Sequence, residues 1–199
     1  MRGIVVQHRA AAQRRGRRDN AWMARTTLPA SALAAALVLA GAACTPALDW
    51  REFVPQGMEL SVAFPCRPDR HARTVALAGR PLPMQMLVCE AGGSTFALSL
   101  IDVADPAQVT PALIDLRTAA IGNVRGRDAR LTPFNVKGMA ANAQAVRVAV
   151  DGTLPDGAAV QEHAAFFVRG LRVYQATVIG RAPGLPEVDA FFGGLRFPA

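Results

Sequence analysis

The sequence predicts an α+β domain: an antiparallel sheet of about six strands with one long helix and a short C-terminal helix packed on it. Three observations carry this expectation. Segments in which apolar and polar residues alternate recur along the chain. One segment switches to apolar spacings of three and four. Short glycine turns join neighbouring strand segments, which leaves too little β–α alternation for a doubly wound sheet.

The first strand is read in MELSVAF, residues 58–64. Met58, Leu60, Val62 and Phe64 share one face, and Pro65 ends the run. ARTVAL at 72–77 is a weaker candidate, bounded by Gly79 and Pro81. MQMLVCE at 84–90 places Met84, Met86 and Val88 opposite Leu87 and Cys89, and Gly92-Gly93 make the next turn. TFALSLIDV at 95–103 is apolar on both faces, which places it near the sheet centre. The helix follows. Asp105 is its N-cap, Pro106 its first residue and Gln108 the capping-box partner, and the stripe is Val109, Leu113, Leu116, Ala120 and Val124. It should end between Asn123 and Gly126. NAQAVRVAV at 142–150 alternates again, and residues 159–180 read as a hairpin turning at Arg169-Gly170. A short helix from Pro186 would bury Val188, Phe191 and Phe192 and stop at Gly193-Gly194.

A formal net charge of +7 suggests an anionic partner such as nucleic acid until it is divided by region. Residues 1–43 carry seven arginines against the single acid Asp19; residues 44–199 carry 15 basic and 14 acidic side chains. The basic character belongs to the leader, and no basic stripe interleaved with aromatics runs along the body, which argues against nucleic acid as a partner.

Between Arg25 and Asp49 there is no charge, and the apolar stretch from Leu28 to Ala43 is alanine-rich. It is short for a bilayer span of about 20 residues. A charged region, a short apolar core and a small-residue end read as an export signal. Residues 39–44, LAGAAC, resemble the lipobox of bacterial lipoproteins. That resemblance implies that Cys44 is lipidated and becomes the mature N-terminus. Gly41 stands where the family usually has leucine, which leaves an ordinary signal cut near Ala42 or Ala43, or an uncleaved anchor, as the other readings. The resemblance also places Thr45 where an aspartate would favour inner-membrane retention, so the periplasmic face of the outer membrane is expected. Met23 is the expected true start, since Met23-Ala24-Arg25 sits directly before the apolar core. A twin-arginine signal at Arg17-Arg18 would lie about ten residues too early. The domain reading is therefore a signal peptide over 1–43, a lipidated N-terminus and short linker over 44–48, and a single α+β domain over 49–199.

With Cys44 lipidated, Cys66 and Cys89 remain, an even pair for an oxidising compartment. A structural disulfide is expected, with two free buried thiols or reactive thiols as alternatives. No C-x-x-C spacing is present.

VAFPCRP, DPAQVTPALIDLRTAA, VRGLRVYQATVIG and the terminal DAFFGGLRF together resemble small proteobacterial lipoproteins with a PsbP-like fold, over about residues 50–199. Gly194 stands where such tails often have serine. The resemblance implies an accessory or binding protein, not an enzyme, and carries no catalytic residue over.

The residues themselves offer no enzyme signature. His71 and His163 stand alone without a metal-ligand spacing, so neither a metal nor a cofactor is expected. Ser94 follows Gly92-Gly93 but lacks the closing glycine of G-x-S-x-G. Asp102, Asp105, Asp151 and Asp156 fall at strand ends and turns, where aspartate is ordinary. The remaining handle is aromatic: Phe166, Phe167 and Tyr174 are either core or a surface for a peptide or apolar ligand. Adjacent phenylalanines on a strand point to opposite faces, so one of the pair is exposed or lies under a helix. The expected function is a non-enzymatic, lipid-anchored periplasmic protein that binds another envelope protein or supports an assembly. The alternatives are a small-ligand binder with its pocket between helix 106–123 and the sheet, and a hydrolase with an unrecognised site.

Overall fold

The structure, a computed structural model, describes residues 48–198, which form one compact unit. The leader, Cys44 and the beginning of the linker lie outside the described residues. The strands are β1 (Arg51–Phe53), β2 (Val62–Phe64), β3 (Asp69–Leu77), β4 (Arg80–Ala91), β5 (Ser94–Asp102), β6 (Arg127–Pro133), β7 (Val146–Thr153), β8 (Ala159–Arg169) and β9 (Arg172–Gly180). The helices are α1 (Pro106–Asn123) and α2 (Leu185–Gly193). The α+β class stands, with two corrections. The main sheet has seven strands in the order β3-β4-β5-β9-β8-β7-β6, and β1 and β2 form a separate two-stranded sheet. The two helices belong to different cores, α1 to one and α2 to the other.

Local chemistry explains the order. Ala78-Gly79 and Gly92-Gly93 all have positive φ, which type I′ hairpin turns require, so β3, β4 and β5 run as a meander. The last hairpin turns at Gly170-Leu171, one residue later than expected, with Gly170 at φ 60° and Arg169 opposite Arg172. Helix α1 then carries the chain from β5 to the far edge at β6, and β7, β8 and β9 return until β9 pairs with β5. Asp105 caps α1 as expected, its Oδ1 accepting from the Ala107 N–H at 2.8 Å. Gln108 reaches back one residue beyond the N-cap, its Oε1 accepting from the Ala104 N–H at 3.3 Å.

Alternate residues of β5, β8 and β9 feed opposite cores. Leu113, Leu116 and Ala120 of α1 close over Ile101, Phe166 and Val173, all buried. On the second side, Phe64, Phe96, Phe167, Tyr174, Phe191, Phe192 and Phe197 meet under α2 and β2. The Phe167 and Tyr174 rings stack with centroids 5.2 Å apart, and the Tyr174 hydroxyl donates to the Met58 carbonyl at 2.6 Å. The alternation read in 58–64 holds for burial: Met58, Leu60, Val62 and Phe64 are fully buried. It does not hold for conformation, because Glu59 has φ 49° and only the last three residues are strand.

Candidate functional site

The aromatic positions singled out in the sequence are interior. Phe166, Phe167 and Tyr174 each have no exposed surface. Phe166 lies under α1, and Phe167 lies in the aromatic core beside α2. Both faces of the strand are covered, so neither ring is available at the surface.

Glu162 and His163, adjacent in sequence, are also separated by strand alternation. Glu162 shares its face with Val160 and Ala164, in register with Val150 and Ile179. Burial pushes its carboxyl up to about 7. His163 lies on the opposite face, in register with Ala149 and Val178. It borders a cleft of about 290 Å³ with Asp128, Arg130, Asp151, Gln161 and Leu185. Burial and the nearby Arg147 charge hold its pKa below the usual value, although Asp189 and Asp151 oppose them. The remaining flagged residues have structural roles or lie apart. His71 is exposed on the edge strand β3. Asp102 pairs with Arg172 at 3.3 Å, and Asp156 accepts from the Ala158 N–H at 3.0 Å. Among the described residues, no three His, Cys, Asp or Glu side chains come together as metal ligands would.

The site the structure does assemble lies around the disulfide. Cys66 and Cys89 are joined, with their Cα atoms 6.0 Å apart. The bond ties the segment after β2 to β4 of the main sheet. Next to it opens a cleft of about 540 Å³, within the range of small-molecule sites. Its apolar lining is Phe53, Val54, Pro55, Cys66, Pro68 and Leu87. Pro55 turns the chain, its carbonyl accepting from the Met58 N–H at 3.1 Å, and leaves Val54 54% exposed at the mouth.

Three arginines rim this lining: Arg51 from β1, Arg67 from the connection after the disulfide, and Arg70 from β3. Arg51 donates to Asp49 Oδ2 through Nε at 2.9 Å and Nη2 at 2.6 Å, and this pairing raises its pKa. Arg70 is held by neutral acceptors, Gln85 Oε1 at 3.3 Å and the Gln56 carbonyl at 3.1 Å. These bonds orient the guanidinium without cancelling its charge. Among the described residues, no carboxylate pairs with Arg67 or Arg70. The cleft therefore combines an apolar wall with two uncompensated, fork-shaped cations, a donor set suited to phosphate or carboxylate oxygens.

No protein-family model and no curated protein matches this chain.

The near-neutral charge of the body hid this cluster, because a sum over 156 residues balances arginines against carboxylates elsewhere in the fold. A local signal was present in FPCRPDR, which sets two arginines within four residues of a cysteine and holds the connection with prolines. Only the fold brings Arg51, Val54 and Gln56 to the same place.

Proposed function

We propose that this protein is a non-enzymatic lipoprotein of the bacterial envelope, exported by residues 23–43, acylated on Cys44 and held at the periplasmic side of a membrane, with the outer membrane favoured. In this reading it serves as an accessory or binding protein and belongs with the small lipoproteins its motifs resemble. The observation that carries the reading is the Cys66–Cys89 disulfide, read together with the leader. A disulfide persists in an oxidising compartment, and the leader independently reads as a route to one. The leader claims one cysteine of the three and the fold pairs the other two, so each has an assigned role.

Acylation decides between a tethered and a free protein, because several acyl chains together give durable retention where one gives marginal binding. Wild-type protein labelled with radioactive palmitate should carry the label and fractionate with membranes. Cys44→Ala should lose the label. A Cys44→Ala protein that still takes up palmitate would contradict acylation at this position.

A further inference from the structure

We propose that the cleft lined by Phe53, Val54, Pro55 and Pro68, with Arg67 and Arg70 at its rim, binds the phosphate of an anionic phospholipid headgroup in the membrane that carries the protein. This rests on the lipoprotein reading for the nearness of a membrane, but not for the chemistry of the cleft. Two features of the fold argue for a phosphate. Arg70 is oriented by Gln85 and Gln56 while keeping its charge, and Arg67 has no carboxylate partner among the described residues. Guanidinium groups offer phosphate oxygens paired N–H donors with matching geometry.

Two further features favour a lipid over a free anion. Half-exposed Val54 and the adjoining Phe53, Pro55 and Pro68 offer an apolar wall, which inorganic phosphate cannot use but the glycerol and upper acyl carbons of a phospholipid can. The cleft also lies at the start of the domain. Asp49 and Arg51 line it, and Asp49 is only five positions from Cys44. Five residues reach at most about 18 Å when extended, so an acylated Cys44 would keep this end of the domain within that distance of the bilayer surface. The tether would supply the headgroup at high local concentration, so a weak intrinsic affinity suffices to orient the domain.

The test uses the mature chain, residues 44–199, carrying Cys44→Ala, so that neither the arginine-rich leader nor an acyl chain contributes. It is mixed with vesicles of pure phosphatidylcholine, with vesicles in which phosphatidylglycerol replaces part of the phosphatidylcholine, and with inorganic phosphate alone. We expect cosedimentation with the phosphatidylglycerol vesicles only, weakened about tenfold by adding Arg67→Gln and Arg70→Gln. Arg73 and Arg80 are exposed and lie outside the cleft, so Arg73→Gln with Arg80→Gln removes the same charge and should leave binding unchanged. A matched urea midpoint confirms that the variants are folded. Equal loss in both pairs would mean diffuse surface charge and would overturn the proposal. So would binding that ignores Arg67 and Arg70, or phosphate protecting the cleft while phosphatidylglycerol vesicles stay unbound. Palmitate labelling of wild-type protein reads acylation separately, so failure at the cleft and failure of the lipoprotein reading give different results.

Discussion

Glu162→Gln is expected to stabilise the domain by about 2 kcal/mol at pH 8 and to change its stability little at pH 4. Glu162 is 5% exposed, flanked by Val160 and Ala164 on its own strand and in register with Val150 and Ile179. Among the described residues no cation pairs with it. Burial lifts its carboxyl from an ordinary 4.5 to about 7. Between those values the folded chain binds the proton more tightly than the unfolded chain does. Stability is therefore highest below the unfolded pKa, falls as pH rises toward 7, and levels off above it. The full fall corresponds to about 3 kcal/mol, and glutamine recovers less because its neutral amide also loses water on burial. Urea denaturation of wild type and Glu162→Gln at several pH values checks this. The two curves should converge in acid and separate as pH rises; curves that stay parallel across the range would refute it.

Removing the Cys66–Cys89 bond has the other large expected effect. The cysteines are 23 positions apart, and closing a loop of that length stabilises by about 3 kcal/mol in the chain-entropy account. The loss should be cooperative, because the bond joins the segment after β2 to β4. Phe64 of β2 packs on Phe191 with ring centroids 5.2 Å apart, so loosening that segment disturbs the aromatic core as well. Cys66→Ala with Cys89→Ala should lower the urea midpoint markedly, and reductant should lower the wild-type midpoint to match. Equal midpoints with and without reductant would show that the bond contributes nothing to the fold.

Much of this fold was legible because strand alternation and helical spacing record burial directly. Val109, Leu113, Leu116 and Ala120 of α1 are all buried, and the Asp105 cap is in place. Two strands were missed for physical reasons. β6 reads RDARLTP, an edge strand with mostly exposed side chains and a register shift near Asp128, which has φ 53°; with neither face well buried it leaves no apolar period. β1 is three residues long and is strand only because it pairs with β2. The candidate site was less legible than either. Phe166, Phe167 and Tyr174 drew attention because aromatic residues are conspicuous, yet three packed layers use them as core. Arg67 and Arg70 looked ordinary, and their character comes from what lies beside them in space: neutral acceptors, a disulfide and an apolar wall.

The proposed function depends on a working molecule that begins at an acylated Cys44. The most direct test is the intact mass of protein extracted from membranes of its native host. The account predicts a chain of residues 44–199 with the added mass of a diacylglyceryl group on the Cys44 thiol and two hydrogens missing for the Cys66–Cys89 bond. An unmodified mass that retains residues 23–43 would contradict it.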